Sequence, residues 1–324
     1  MKNPLYVIGS EPLHEWECSN NFPSCIILTG NVSADMFSAF ARDFDYTKYK
    51  QISFDALTVK DIQYKDDYSC TYEEYLSQFV CGDAIRLFVL IKLYLNLHIT
   101  KSFVVSEECV YSADHKTLIH APEATELVVL PFVEHIGNGA CCGYDKMSRV
   151  KLNDGLKSIG KWSFVGTDIN NLELPHSVVS LGENAFLMSE LENIRLSDSL
   201  NGIPDGCFDL CSLNSIKIPP SIKFIGNKAL RGLTWTDEIK IPEGVERIGY
   251  DAFEAMHYVY LPASLMEIAP DFYYEECIDD PNYPPYIEVH PDNKVFFLKM
   301  EVCISKKRGL LLLIVNIMVL INTV

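Results

Sequence analysis

A single pattern repeats seven times between Glu126 and Ile278, and it constrains the fold of this 324-residue chain more than any other feature. Each copy begins with a core of three residues, of which the first and third are apolar and the second is usually polar. The last residues of successive cores lie 22, 22, 22, 22, 23 and 20 positions apart. The cores are Val128–Leu130, Val150–Leu152, Leu172–Leu174, Ile194–Leu196, Ile216–Ile218, Ile239–Ile241 and Val259–Leu261. A fixed period of this length is typical of a solenoid, in which each copy forms one coil.

The residues that follow each core also repeat. In five copies a proline comes directly after the core, where it ends a strand because it lacks an N–H donor. Seven positions after the core, or six in the first copy, comes an apolar anchor. The anchors are Ile136, Ile159, Leu181, Ile203, Ile225, Ile248 and Ile268. The next residue is glycine in five copies but Pro204 in another, and proline fixes φ at about −65°. The pattern therefore favours close packing between coils, not a left-handed turn, as the reason for glycine.

The length of the cores determines how they pair. A strand of three residues cannot satisfy its own backbone hydrogen bonds, so successive copies must stack as a parallel ladder. Side chains alternate between the two faces of a strand, so the outer core residues are buried and the middle one is exposed. One copy is not stable alone, because its apolar face is covered only by its neighbours.

Composition and charge exclude several classes of function. The formal net charge of −17 disfavours nucleic acids and anionic membranes as partners, because both would repel the molecule. The eleven cysteines are an odd number. Cys141, Cys207 and Cys211 occupy apolar positions of the repeat, which indicates buried packing residues in preference to metal ligands or disulfides. The cysteines in the repeats lack the paired spacing of a zinc site.

The sequence also lacks the motifs of common enzymes. None of its eight histidines lies in a nucleophile-elbow or H-E-x-x-H context, and no P-loop or Rossmann glycine run occurs. Adjacent acidic residues such as Asp279–Asp280 lack the spacing of a calcium loop. We therefore expect no catalytic activity, no cofactor and no bound metal.

The rest of the chain surrounds the repeats. Residues 1–100 are predicted to form a divergent N-terminal cap or a degenerate beginning of the array. Residues 101–125 and 279–308 share the spacing of a second module, predicted to be a hairpin in each case, and these flank the seven regular repeats at 126–278. No secretory signal is visible at the start of the chain. Residues 309–324 are almost wholly apolar but shorter than the roughly twenty residues that a spanning helix needs, which favours a strand or apolar plug over a membrane anchor.

The repeats resemble a known family. Ile239 to Phe253 reads as an apolar strand, a proline, a valine, then Ile-Gly and Ala-Phe, and Leu172 to Phe186 follows the same order. This order is similar to the BspA-like leucine-rich repeats, and the resemblance covers roughly residues 126 to 278. The two flanking modules also resemble the longer hairpin of this family, although Glu108 and Glu301 stand where the family has glycine.

The resemblance implies an α/β repeat solenoid: a right-handed leucine-rich-repeat array of short parallel strands with short helical or 3-10 turns. It also implies a surface or secreted protein, of the kind found in gut Bacteroidetes such as Bacteroides, that acts in adhesion by binding host proteins or other cells. It implies no catalysis. The missing leader leaves a cytoplasmic location as the alternative. The apolar tail stands where another repeat is expected, which is consistent with a truncated array.

The exposed positions of the strands are the candidate binding surface. They include the middle residues of the cores, from Val129 in the first copy onward, and the residues that flank the cores. The candidate ligand-facing strip comprises Arg149, Lys151, Glu173, Arg195, Lys217, Lys240, Tyr258 and Tyr260. Its basic bias in an acidic protein favours an acidic protein or glycan partner, with the tyrosines as anchors. The alternative is that lysine and arginine keep an exposed strand surface soluble.

Two functions of different kinds follow. The first is a surface or secreted module that binds a protein or glycoprotein ligand through this strip. The second is an intracellular structural scaffold, or a remnant of a larger array that has no present partner. Only the first requires that charge reversal in the strip change the binding of a partner.

Overall fold

The computed structural model describes residues 25–27, 30–33, 51–53, 57–60, 102–231, 239–253, 258–269, 286–304 and 311–319. The expectations for most of residues 1–100, for the beginning of the chain and for its last five residues lie outside this part. The chain comprises two compact units. The first comprises residues 1–123 and 132–141, and the second comprises residues 124–131 and 142–324.

The described residues form strands and turns, with no helix among them. The strands, in chain order, are β1 (Cys25–Ile27), β2 (Gly30–Ser33), β3 (Gln51–Ser53), β4 (Leu57–Lys60), β5 (Ser102–Ser106), β6 (Cys109–Ser112), β7 (Thr117–His120), β8 (Glu126–Val128), β9 (His135–Ile136), β10 (Arg149–Lys151), β11 (Ser158–Ile159), β12 (Asn171–Glu173), β13 (Ser180–Leu181), β14 (Asn193–Arg195), β15 (Gly202–Ile203), β16 (Ser215–Ile216), β17 (Phe224–Ile225), β18 (Ile239–Lys240), β19 (Arg247–Ile248), β20 (Tyr258–Leu261), β21 (Glu267–Ile268), β22 (Tyr286–Val289), β23 (Phe296–Ile304) and β24 (Leu311–Val319).

The first unit contains a mixed sheet. Strand β1 pairs in parallel with β3, β3 pairs antiparallel with β5, and β5, β6 and β7 follow as an antiparallel meander that ends on the parallel partner β9. The turn between β5 and β6 places Glu107 and Glu108 at positive φ, 50° and 63°. Phe103, Val110 and Leu118 are buried in the core of this unit.

The cores of the second unit form the predicted parallel ladder. Strand β8 pairs with β10, strands β12, β14 and β16 pair in series, and so do β18, β20 and β22. Leu172 lies opposite Ile194, which in turn lies opposite Ile216, so equivalent residues of successive coils stack on one another. This first ladder confirms the expected solenoid of short parallel strands.

The predicted frame of the first copy is wrong by one residue. Glu126 pairs with Arg149, so the core equivalent to Val150–Leu152 is Leu127–Val129. Val128 is 53% exposed and Val129 only 4%, the reverse of the expectation that Val129 is the exposed middle residue. Four consecutive apolar residues, Leu127 to Leu130, fit either frame, and only the pairing with β10 decides between them. With this frame Ile136 lies seven positions after the core, as in every other copy.

The anchors form a second ladder that the sequence pattern did not predict. In the second unit, β11 pairs in parallel with β13, and β15, β17, β19 and β21 pair in series. Each of these strands has two residues, and the second of them is the anchor. Each coil of this part therefore contributes two short strands, one to each ladder.

The helical turns implied by the resemblance do not occur among the described residues. In a helix these backbone N–H groups would donate to carbonyls of the same coil. Here the backbone N–H of Phe164 donates to Ala185 O at 2.8 Å, and that of Phe186 donates to Cys207 O at 2.9 Å. These bonds run between coils. The turns also contain residues with φ near the left-handed region, which interrupts a helix. Such residues are Trp162, Asn184, Gly206, Lys228 and Asp251, with φ between 47° and 61°.

The interior is built from equivalent side chains stacked on one another. The rings of Phe164, Phe186 and Phe208 are nearly parallel, with centroids 5.4 Å apart at both steps. Cys207 and Cys211 are buried free thiols, as predicted. Cys211 donates to Phe186 O at 2.9 Å, and burial raises its pKa to about 12, so the thiol stays protonated. Cys141 is buried as well.

The glycines beside the anchors are required by close packing, as the sequence indicated. A Cβ atom on Gly226 would lie 2.5 Å from Asp205 N, and one on Gly249 would lie 2.6 Å from Asn227 N. Neither glycine has a positive φ. The backbones of neighbouring coils therefore approach too closely at this position for a side chain to fit without a shift.

Within residues 279–308, the structure describes two strands, β22 and β23. Strand β22 extends the first ladder, with Tyr286 opposite Tyr258, and Asn293 donates to Pro262 O at 2.8 Å and to Leu265 O at 3.1 Å. Strand β23 continues through Glu301 and pairs antiparallel with β24. The sequence period missed β22 because Val289 lies 28 positions after Leu261, beyond the length of a regular copy.

Replacing Phe186 by alanine is expected to lower the free energy of unfolding by about 3–5 kcal/mol, because the middle ring of the stack is removed and both neighbours lose a partner. Denaturant unfolding monitored by circular dichroism measures the change. Met266→Ala is the control, since Met266 is 66% exposed and its loss should cost less than about 0.5 kcal/mol. Equal losses in the two variants would contradict the stacked core.

Replacing Gly226 by alanine is expected to destabilise the protein by about 1–3 kcal/mol, because the new methyl group meets the backbone of the preceding coil. Gly155→Ala is the matched control: its Cβ would meet only the Asn153 side chain, at 3.2 Å, and the Pro131 carbonyl, at 3.7 Å. The same unfolding measurement applies. If the Gly155 variant were the less stable of the two, close packing would not be the reason for glycine.

Candidate ligand-facing surface

The outward side chains of the first ladder form one polar surface, here called the strand face. On strands β10 to β18 the exposed residues alternate with buried or half-buried ones, as the period of two requires. The strand face contains Arg149, Lys151, Asn171, Glu173, Asn193, Arg195, Ser215, Lys217, Lys240 and the half-buried Tyr260. The predicted strip residues other than Tyr258 thus lie on this face. Tyr258 lies opposite Tyr286 in the ladder, and its side chain is outside the described part.

Two of the five cations of the strip are paired with acids on neighbouring coils. Arg195 Nη1 lies 2.6 Å from Glu173 Oε1, and Arg149 Nη2 lies 3.4 Å from Glu126 Oε2. All four side chains are exposed, so each pair contributes about 0–1 kcal/mol. Within the described residues, Lys151, Lys217 and Lys240 have no ion pair. The basic bias seen in the sequence therefore reduces to these three lysines.

A shallow, open groove of about 780 Å³ crosses the strand face over the coils of β12, β14 and β16. The amide of Asn193 donates to Asn171 Oδ1 at 2.9 Å across two coils. The lining is Asn171, Leu172, Glu173, Asn193, Ile194, Arg195, Leu196, Asp198, Ser215, Lys217, Pro219 and Pro220. The groove is therefore lined mainly by polar side chains over an apolar floor.

The strip predicted from the sequence misses part of this groove. Asp198 and Pro220 occupy the second position after the core, outside the strands that define the strip. Comparing that position across the copies, which places His176 beside Asp198 as well, would have found it. His176 Nδ1 lies 3.8 Å from Asp198 Oδ2, and both side chains are exposed.

Tyr260 contacts a residue beyond the regular repeats. Its ring meets that of His290 edge to face, with centroids 6.2 Å apart. Desolvation, followed by the carboxylates of Glu243 and Glu288, raises the pKa of Tyr260, so its phenol is neutral at physiological pH. Tyr260, one of the two expected tyrosine anchors, is thus a neutral aromatic group that already contacts His290.

The described residues offer no metal centre. Among them, no group of three or more His, Cys, Asp or Glu side chains could hold a metal ion. No part of the described chain forms a helix of the length and apolarity needed to span a membrane.

Comparison with known families identifies the repeats. Residues 120–235 and 223–293 match the model of the BspA type leucine rich repeat region, in six copies. The match covers more than half of the chain. The protein belongs to the BspA type leucine-rich repeat family. Proteins of this family are repeat proteins, and nothing in the described residues points to catalysis.

Several solved structures are similar to this chain. A leucine-rich repeat protein from Eubacterium ventriosum ATCC 27560 is 15% identical, with 53% of this chain and 49% of that chain covered and a TM-score of 0.41. One from Bacteroides ovatus ATCC 8483 is 19% identical, with 52% and 58% covered and a TM-score of 0.31. A leucine rich cell surface protein from Faecalibacterium prausnitzii A2-165 is 20% identical, with 51% and 59% covered and a TM-score of 0.29.

The chain spans about half the length of the solved structures it matches. A comparison with curated proteins gave no match.

Within these BspA type repeats, the ion pair between Asp209 and Arg231 lies in the turns, away from the strand face, and its carboxylate is buried. Arg231 donates twice to Asp209, at 2.7 and 2.9 Å, and Asp209 is 6% exposed. Burial raises the pKa of Asp209, and the hydrogen bonds and charge of Arg231 oppose that rise. The pair therefore keeps a buried carboxylate satisfied between two coils.

Replacing Arg231 by methionine is expected to lower the free energy of unfolding by about 3–5 kcal/mol near neutral pH, because Asp209 is left buried without its partner. The pKa of Asp209 in the folded state should then rise further. A carboxyl whose pKa is higher folded than unfolded stabilises the fold at low pH, and this contribution is lost as pH rises through the folded pKa. The loss should therefore be larger at roughly pH 8 than at roughly pH 5.5, measured by urea unfolding.

The control is the double variant Arg231→Met with Asp209→Asn. It removes the ionisable group, so the additional dependence on pH should disappear. A loss of stability that is equal at both pH values in the single variant would rule out an unpaired Asp209 as its cause.

Proposed function

We propose that this protein is a non-enzymatic interaction module that binds a protein or glycoprotein ligand through its strand face, at the cell surface or outside the cell. The observation that carries the proposal is the continuous row of exposed polar side chains on successive coils. Strands of a ladder lie about 4.8 Å apart, so such a row offers contacts at regular spacing along an extended ligand. Membership of a leucine-rich repeat family supports binding of other proteins as the role.

The charge of the strand face supports an acidic ligand surface. Lys151, Lys217 and Lys240 have no ion pair in the described part of the chain, and each is exposed. Charged residues at the rim of an interface mainly increase the rate of association and select the partner. The net charge of −17 acts against an acidic partner at long range, so these lysines would act at short distance.

The second candidate is an intracellular scaffold or a remnant of a larger array. It requires no ligand on the strand face. Protease treatment of intact cells of the native organism separates the two locations. Cleavage of the protein on intact cells supports the surface, and protection that is lost only on lysis supports the interior.

Reversing Lys151, Lys217 and Lys240 to glutamate is expected to weaken binding to recovered partners by about tenfold or more, because three favourable contacts become repulsive. Arg149 and Arg195 are left unchanged since each has an acidic partner. Affinity purification from host extracellular matrix and from native lysate supplies the partners, and surface plasmon resonance measures affinity.

The matched control reverses Lys146, Lys157 and Lys294, which are exposed and lie outside the strand face. It changes the net charge by the same amount. If the control weakened binding as much as the strip variant, net charge and not the strand face would be responsible. If the strip variant bound every partner like the wild type, the proposed use of the strand face would be wrong.

A further inference from the structure

We propose that the groove on the strand face binds an uncharged, hydroxyl-rich segment of a glycan. This inference rests on the proposed function, because it names the chemistry of the ligand that the same face would hold. It places the glycan part of a glycoprotein ligand in the groove, while Lys151 and Lys240, which lie outside the groove, contact other parts of that ligand.

The charges of the groove favour a ligand without strong charge. The lining contains two acids, Glu173 and Asp198, and two cations, Arg195 and Lys217, so its formal charge is zero. Glu173 and Arg195 are joined at 2.6 Å. A ligand that carried several charges of one sign would meet repulsion from half of these groups. An uncharged polar ligand meets none.

The hydrogen-bonding groups of the groove alternate between donors and acceptors. The bond from Asn193 Nδ2 to Asn171 Oδ1 leaves Asn171 Nδ2 as a donor and Asn193 Oδ1 as an acceptor. Ser215, which lies opposite Asn193 in the ladder, adds a hydroxyl group that can do both. These three groups have no further partner among the described residues. A sugar hydroxyl is itself a donor and an acceptor, so a row of hydroxyls matches this alternation.

The apolar part of the groove is aliphatic. Leu172 and Leu196 are buried beneath it, and Pro219 and Pro220 also line it. The lining contains no aromatic side chain, and its arginine is already paired. Tight protein interfaces depend on aromatic residues and arginine in desolvated pockets, and this groove offers neither. Aliphatic and proline side chains beside polar groups suit the C–H and O–H surfaces of a sugar ring.

The three polar residues of the groove extend over the length of a short ligand. Asn171, Asn193 and Ser215 belong to three successive coils, so they extend over about 10 Å of the strand face. That length accommodates a short oligosaccharide laid across the strands. The groove is open on the solvent side, so the ends of a longer chain can leave it.

The test is titration of the full chain with single oligosaccharides, measured by calorimetry and by chemical-shift changes. The uncharged probes are maltohexaose and lacto-N-neotetraose, and the charged probes are sialyllactose and a heparin hexasaccharide. An uncharged probe is expected to bind, with an affinity that is unchanged when the salt concentration is raised. Binding of charged probes alone, with an affinity that falls with salt, would overturn the inference, as would the absence of binding by any probe.

Variants locate the binding site. Asn193→Ala is expected to weaken binding about tenfold, because it removes a direct hydrogen bond and releases Asn171. The matched control is Asn201→Ala, an exposed asparagine outside the groove, which should bind like the wild type. Thermal unfolding of both variants checks that each is folded. Equal effects of the two substitutions would overturn the assignment to the groove.

A last measurement separates this inference from the proposed function. A glycoprotein partner recovered with the wild type is treated with glycosidases and its binding is measured again. Loss of binding supports the groove as a glycan site. Unchanged binding that still depends on Lys151, Lys217 and Lys240 overturns the glycan inference and leaves the proposed function in place. If the triple lysine variant and the Asn193 variant both bound the partner like the wild type, both the glycan inference and the proposed function would be wrong.

Discussion

The hydrogen bond between the backbones of neighbouring coils is the interaction on which the rest of the structure depends. A strand of two or three residues has no partner within its own coil, so its N–H groups donate to the next one. The same holds in the turns, where Phe164, Phe186 and Phe208 each donate to the following coil. Because these bonds have a fixed length, the distance between coils is fixed as well, and equivalent residues are brought into contact.

Several features of the chain are consequences of that distance. The rings of Phe164, Phe186 and Phe208 stack because they occupy one position in successive coils. Gly226 and Gly249 lack a side chain because the neighbouring backbone occupies the space. The turns are not helical because a helix would use its N–H groups within the coil and leave the next coil without a partner.

The sequence predicts the first ladder well because alternation of apolar and polar residues determines which side chains are buried. It does not predict the second ladder, since strands of two residues such as Ser158–Ile159 are too short to show alternation. It misplaces the first core because Leu127 to Leu130 are all apolar and satisfy either frame. The left-handed conformation of Trp162 and Lys228 also escapes prediction, because neither residue type favours it and the packing of the coil imposes it.

The candidate site, like the fold, has a part that the sequence predicts and a part that it does not. Alternation places Lys151, Glu173 and Arg195 outside, so the exposed row is predictable. Its electrostatics are not, because Glu173 and Arg195 are 22 residues apart and become neighbours only through the register of β12 and β14. Counting charges along the sequence therefore overstates the basic character of the face, and the groove emerges only when successive coils are placed side by side.

This arrangement separates the residues that could select a ligand from those that hold the fold. Inward residues are constrained on both sides by the neighbouring coils, so a change there affects the stacking of the whole array. Outward residues such as Asn193 and Arg195 form polar contacts with their equivalents on the adjacent strand, and exposed contacts of this kind contribute little to stability. The strand face can thus change its chemistry from coil to coil while the ladder beneath it keeps the same spacing. For that reason the zero formal charge of the groove and the two lysines outside it, Lys151 and Lys240, can coexist on one regular scaffold.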